Sequence, residues 1–251
     1  MAAPLRSLAV VGTGLIGASA GLAARRAGVA RVTGWDPDPE ALGVAAGRGA
    51  VDAADSLADA VADADLVLVA VPVAELPAQV RATLGLVADE STVTDVGSTK
   101  GPVCAAAGGD VRFVGGHPIC GAETRGPARA TAELFDDATW FLTPLAGTEP
   151  ERFRIVHGFV TALGGRPVAI DPGAHDRLVS VTSHLPHALA NLLLNQAGAA
   201  RVDGHDPLAA AGGSLRDMTR IAGANPRIWV DIFLDNREAF AAALAEHRGR
   251  V

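Results

Sequence analysis

The sequence predicts an α/β domain built on a parallel sheet, followed by an all-helical domain, and three features of the chain point there. Short apolar runs alternate with helix-like stretches through the first two thirds. A glycine-rich turn closes the first of those runs. After Asp171-Pro172-Gly173 no convincing strand remains.

Leu8 to Val11 reads as a strand, Leu15 to Gly28 as a helix and Arg31 to Trp35 as a second strand. A helical stretch around Glu40 to Arg48 leads to Leu66–Val71, whose unbroken apolar run suits a strand buried on both faces. A helix from about Val73 to Leu86 and the strand Thr92 to Val96 follow. Arg112 to Gly115, Thr139 to Thr143 and Arg166 to Ile170 are further strand candidates. Strands separated by helices need right-handed crossovers, hence the parallel sheet. The later helices are expected over about Ala174 to Ala200, Gly213 to Ala222 and Arg227 to His247. Pro186 lies inside the first of them, where it removes a hydrogen bond and crowds the carbonyl of Thr182, so a kink is expected. The domains are read as 1–171 and 172–251.

Hydrophobic residues make up 49 % of the 251, enough for a sizeable core, and the net charge of −7 without a basic stripe argues against nucleic acid as a partner. Cys104 and Cys120 offer neither a disulfide framework nor a zinc spacing, and no apolar run is long enough to span a bilayer. A soluble, cytoplasmic protein without a metal is expected. Lys100 is the single lysine among 21 basic residues. A compact ammonium is wanted there and not a planar fork, or the lysine is a chance residue on a loop.

Val10-Val11-Gly12-Thr13-Gly14-Leu15-Ile16-Gly17 closes a strand and opens a helix. Gly12 permits the tight turn, Gly14 lets a diphosphate approach the backbone, and Gly17 lets the helix pack on the sheet. Free N–H groups of the helix N-terminus, Leu15 and Ile16 among its first residues, favour the anion. Asp36 ends the second strand, 19 residues after Gly17, and suits a ribose 2′-hydroxyl while repelling a 2′-phosphate. The first domain is therefore Rossmann-type and the cofactor NAD. Its site also takes in Val71 and Pro72, at the carboxyl end of the Leu66–Val71 strand.

Four further segments carry chemistry: Asp95-Val96-Gly97-Ser98-Thr99-Lys100, Gly115-Gly116-His117-Pro118, Ser183-His184-Leu185-Pro186-His187, and Arg216-Asp217-Met218-Thr219-Arg220. The first two follow strands, and ligands of open α/β sheets bind beyond the strands' carboxyl ends. Gly-Gly-His-Pro reads as a loop that holds an imidazole in place. Ser98 has an alternative as the N-cap of the next helix. His184 and His187 share a face if helical, and their spacing of three without an adjacent glutamate does not suit a zinc site.

Together with the glycine fingerprint, Leu134-Phe135, Trp140-Phe141-Leu142-Thr143-Pro144, His175-Asp176 and Ile228-Trp229-Val230-Asp231-Ile232, these segments resemble, in order and over nearly the whole chain, the prephenate and arogenate dehydrogenases of tyrosine biosynthesis. The resemblance implies NAD-dependent oxidative decarboxylation of a cyclohexadienol. It implies that His117 contacts the C4 hydroxyl and assists its deprotonation, a task that suits an imidazole titrating near operating pH. It implies that Ser98 hydrogen-bonds the same hydroxyl, and that His184 and His187 lie in the active-site cleft, His187 by the substrate side chain. Arg220 is then the residue to grip a substrate carboxylate, by bidentate pairing. Glu123 and Asp217 correspond to the cleft mouth, where solvated surface carboxylates are the alternative. His175 with Asp176 is expected to orient the start of the long helix. Helical domains of relatives interlock, which implies a homodimer in which Trp229 reaches the neighbour's cleft.

Two departures stand out. Ala122 replaces a common hydroxyl residue, and Cys120, read as packing, replaces a common alanine. No appended regulatory or chorismate mutase domain is expected. Prephenate is the expected substrate, with arogenate and 4-amino-4-deoxyprephenate as alternatives. From other classes, an enzyme of the 3-hydroxyacid dehydrogenase or imine reductase type would leave His117, His187 and Arg220 unexplained, and a non-catalytic NAD sensor would not need them.

Overall fold

The apolar runs of the first two thirds become one eight-stranded sheet. In the computed structural model, which describes residues 5–120 and 125–250, the strands are β1 (Ser7–Val11), β2 (Arg31–Trp35), β3 (Asp52–Ala53), β4 (Leu66–Val69), β5 (Thr92–Asp95), β6 (Phe113–Pro118), β7 (Thr139–Pro144) and β8 (Arg166–Ala169). They lie in the order β3-β2-β1-β4-β5-β6-β7-β8. Between them run α1 (Leu15–Arg26), α2 (Pro39–Gly47), α3 (Leu57–Val61), α4 (Leu76–Leu84), α5 (Gly101–Ala106) and α6 (Pro150–Ala162).

Alternation along the central strands feeds two separate cores, because successive side chains leave opposite faces of a strand. Leu8, Val10, Leu66 and Leu68 pack with Ala20, Ala24, Phe135 and Trp140 on one side. Ala9, Val11, Val67, Val69 and Val93 pack with Leu76, Val80 and Val103 on the other. This double burial explains why β4 reads as a continuous apolar run.

The expectation of a wholly parallel sheet needs one correction: β6 and β7 are antiparallel. The chain between them supplies only a short 3₁₀ turn at Pro127–Arg129 among its described residues, not a crossover helix, and the reversal follows. Helix α6 then restores parallel pairing of β7 with β8. That helix was not anticipated, although Val156, Phe159 and Val160 carry the i, i+3, i+4 spacing of its buried face.

The compact units divide between His175 and Asp176, inside α7 (Pro172–Val179). The second unit also holds α8 (Leu185–Ala199), α9 (Gly213–Thr219), α10 (Pro226–Asp235) and α11 (Arg237–Arg250). The single kinked helix expected over Ala174 to Ala200 is two helices joined by a π turn at Ser180–His184. Pro186 sits in the first turn of α8, where its missing N–H is least costly, and the π turn takes up the change of register. The helix expected over Arg227 to His247 is likewise broken, at Asn236. Its amide Nδ2 donates to the Asp176 carbonyl at 2.8 Å and to Ser180 Oγ at 3.0 Å, so the break pins α10 and α11 to the π turn. No described helix is long and apolar enough to cross a membrane.

Candidate active site

At the end of β1 the chain turns so tightly that a side chain on Gly12 is excluded. Its φ is +92°, and a Cβ there would meet the Ala70 carbonyl oxygen at 2.6 Å and Val71 Cγ1 at 3.0 Å. At Gly17 a Cβ would collide with the Gly12 carbonyl. Beside Gly14, by contrast, there is open space, with nothing within 4 Å of a Cβ position. Gly14 is the N-cap of α1 and supplies no side-chain cap, so the first N–H groups of Leu15, Ile16 and Gly17 head a helix that presents positive partial charge to that space. The cradle fits a diphosphate. Val71 lies half-buried beside the turn and Pro72 is exposed next to it.

Asp36 does more than sequence spacing suggests. Its Oδ2 accepts from the Thr13 N–H at 2.6 Å and the Thr13 hydroxyl at 3.2 Å, and its Oδ1 accepts from the Asp38 N–H at 2.9 Å. The carboxylate thus clamps the glycine turn to the end of β2. Among the described residues these bonds leave acceptor capacity on Oδ1 for a ribose hydroxyl. The buried Thr13, missed from sequence, is the residue through which the turn and the acid are coupled.

The second constellation is built around Asp95 at the end of β5. Its Oδ1 accepts from the Gly116 N–H at 3.0 Å and its Oδ2 from the Gly97 N–H at 2.8 Å. Lys100 Nζ donates to the same Oδ2 and, at 2.6 Å, to the Gly116 carbonyl. Both charged side chains are wholly buried. The only lysine therefore sits in the turn before α5 as a buried internal strut, not as a chance surface residue. It holds the turn bearing Ser98 to the strand bearing His117. The N-cap of α5 is Lys100, so Ser98, half-buried, does not cap that helix.

His117 is in a strand, which corrects the loop reading of Gly-Gly-His-Pro. Strand β6 continues through Pro118, with His117 opposite Phe141 in the β6–β7 register. The glycines are there for close packing: a Cβ on Gly116 would collide with the Asp95 carbonyl and come within 3.0 Å of Trp140 Nε1. His117 is half-buried, and its Nδ1 lies 2.9 Å from Nε2 of His175. His175 is fully buried and sets its ring edge-on to Phe141, with centroids 5.4 Å apart. Its expected role in starting the helix is met by its backbone, whose N–H donates to the Asp171 carbonyl at 2.8 Å, while its ring lies against that of His117. Since β5 and β6 are parallel to β1, Ser98, His117 and the glycine turn lie toward the same carboxyl edge of the sheet.

In the helical unit the π turn and the start of α8 bury both His184 and His187. Trp229 of α10 joins them: His187 stacks on its indole and His184 meets it edge-on, with centroids 6.1 Å apart. Burial holds the His187 imidazole below its usual value. Arg216, Asp217 and Arg220 are exposed, Arg220 opening the 3₁₀ turn after α9. Glu123 and Ala122 lie outside the described residues. Cys120 packs against the first core, and burial pushes its thiol up to about 12, which suits packing and not nucleophilic chemistry.

Residues 20–169 match the family model for the prephenate dehydrogenase nucleotide-binding domain, and residues 171–250 that for the prephenate dehydrogenase dimerization domain. A cyclohexadienyl dehydrogenase of Zymomonas mobilis is 32% identical over 245 residues, which are 95% of this chain and 84% of that protein. A prephenate dehydrogenase of Bacillus subtilis is 34% identical over 242 residues, 92% of this chain but 64% of that longer protein. Among solved structures, prephenate dehydrogenase from A. aeolicus in complex with hydroxyphenyl propionate and NAD+ matches with a TM-score of 0.92 at 30% identity, covering 100% of this chain and 89% of that one.

Proposed function

Because this chain belongs to the prephenate dehydrogenase family, we propose that it catalyses the NAD-dependent oxidative decarboxylation of prephenate to 4-hydroxyphenylpyruvate, CO2 and NADH, in tyrosine biosynthesis. The observation that carries this reading is the Asp95 carboxylate, which ties the Ser98 turn to the His117 strand beside a turn built for a dinucleotide.

Bound NAD supplies the hydride acceptor for the C4 hydrogen. Gly12, Gly14 and Gly17, with the first turn of α1 at Leu15 and Ile16, hold its diphosphate; Asp36 holds a ribose hydroxyl; Val71 and Pro72 line the approach. His117 takes the C4 hydroxyl proton as the C–H electrons leave. When the ring carboxylate departs as CO2, its bonding electrons aromatise the ring toward that oxygen, and His117 returns the proton to it. Ser98 donates to or accepts from the same hydroxyl and sets its direction. Arg220 pairs with a substrate carboxylate, where its exposed position suits capture from solvent. His187, oriented by Trp229 and flanked by His184, donates to the keto acid side chain.

The helical unit makes the homodimer in this reading. Val181, Leu192, Met218, Val230 and Leu234 are each more than half exposed, an apolar surface that a second copy covers. The enzyme works in the cytoplasm, with both cysteines reduced.

NADH production with prephenate, arogenate and 4-amino-4-deoxyprephenate, assayed side by side, tests the activity; turnover of none of them overturns it. His117→Asn should cut kcat by on the order of 10² or more with NAD affinity nearly unchanged, because it removes proton transfer and no cofactor contact.

A further inference from the structure

We propose that His175 is the positioning residue of the proton transfer, fixing the tautomer and orientation of His117. The proposal rests on the dehydrogenase reading of His117 given above. The geometry points to it directly: Nδ1 of His117 and Nε2 of His175 are 2.9 Å apart, and the rings meet edge-on with centroids 5.1 Å apart.

Only one proton can occupy that contact. If it sits on Nδ1 of His117, the lone pair of that ring is at Nε2 and can accept a hydroxyl proton. If it sits on Nε2 of His175, the neutral His117 carries its proton at Nε2 and cannot act as a base there. The proposed role of His117 therefore requires His175 to present an unprotonated Nε2. Once His117 has taken the substrate proton, the same contact becomes a charge-assisted hydrogen bond and favours the imidazolium. His175 stays neutral and touches no substrate. Its place is that of the carboxylate that orients the histidine of a serine-protease triad, in an uncharged form.

His175 is built for such a task. It is wholly buried, its backbone is fixed to Asp171 at the start of α7, and Phe141, directly across from His117 in the sheet, limits its ring. Among the described residues, the charged pair packed against the same strand is Asp95 and Lys100, which meet one residue away at Gly116. The Asp171 carboxylate is occupied with the Ala174 N–H, and Asp176 follows His175 in the chain. The imidazole of His175, 2.9 Å from Nδ1 of His117, is in direct contact with the ring it would orient.

Imidazole ¹⁵N spectra of the wild-type protein, free of substrate, should show His117 protonated at Nδ1 and unprotonated at Nε2. His175→Phe should lower kcat about tenfold to a hundredfold, with prephenate KM and NAD affinity changed less than about twofold. The acid limb of its kcat profile should move to lower pH, since the bond lost is stronger to the charged ring. His175→Gln, whose amide oxygen can stand where Nε2 stood, should restore most of the rate. A wild-type His117 protonated at Nε2, or a folded His175→Phe enzyme with wild-type kcat and acid limb, overturns the proposal. Should His175→Phe not fold, the wild-type tautomer and the glutamine variant decide. Absence of wild-type turnover would defeat the dehydrogenase reading, while the spectra would still answer for the His117–His175 pair.

Discussion

The imidazole of His187 lies flat against the indole of Trp229, ring centroids 3.5 Å apart and planes 9° from parallel. The stack seals the imidazole from water, and desolvation disfavours its charged form. Burial therefore biases the His187 imidazole toward its neutral form. A neutral imidazole can still donate one hydrogen bond.

Burial of a neutral histidine makes stability fall in acid. The unfolded chain binds a proton at His187 near its ordinary value of 6.5, while the folded ring resists it. The contribution is complete above that value and is lost as pH falls through the lower, folded one. Asp110, held down by its hydrogen bonds to Arg112, acts in a separate window below the ordinary 3.8. Thermal unfolding of wild type should weaken between pH 7 and 5, and His187→Leu should flatten that slope. Equal slopes would remove His187 as its source.

Substrate choice should still favour prephenate over arogenate by at least about tenfold in kcat/KM. The rings that pack against His187 are those of Trp229 and Phe233, an aromatic surface that offers an ammonium no ion pair. An unpaired ammonium in such a site costs roughly 1–3 kcal/mol. His187→Val should raise the prephenate KM and erode the preference. Faster turnover of arogenate by wild type at equal low concentration would overturn it.

Lys100 and Asp95 form a wholly buried pair that also fixes Gly97 and Gly116. Lys100→Met leaves a buried carboxylate without its cation and should destabilise by about 3–5 kcal/mol. Asp95→Asn with Lys100→Met should recover part of that loss. Lys100→Arg should also be poorly tolerated, because a planar fork replaces a point charge enclosed by the strand. Chemical denaturation of the four proteins checks this; a harmless Lys100→Met would show that the strut carries no stability.

Asp36 should give NAD at least tenfold over NADP in kcat/KM. Asp36→Ala should raise the KM for NAD and narrow that ratio, and it should also loosen the turn by releasing Thr13. An NADP preference in the wild type would defeat the assignment.

Sedimentation should find a dimer, and Leu234→Glu, at a residue 65 % exposed in the single chain, should shift it toward monomer. A stable, fully active wild-type monomer would rule the dimer out.

The fold class was legible because each central strand is buried on both faces and each long helix on one, and both conditions write periodic apolar patterns. The glycine turn was legible because backbone collisions at Gly12 and Gly17 leave no other residue possible, and because Asp36 must end the neighbouring strand. Short elements such as β3, α3 and α5 escaped, since two to six residues show no period. The break at Asn236 escaped because its cause lies 56 to 60 residues away, at Ser180 and Asp176. His117, Ser98, His187 and Arg220 were named from their segments and the ordered resemblance. What only the tertiary structure decided is who holds them. Lys100 was legible as a singular ammonium, and only the fold shows that it is a strut. His175 looked like a helix starter and faces His117. Trp229, expected to reach a neighbouring chain, also stacks on His187 of its own chain. Those partnerships join residues 16 to 58 positions apart, and they depend on sheet register and helix packing, which no local pattern encodes.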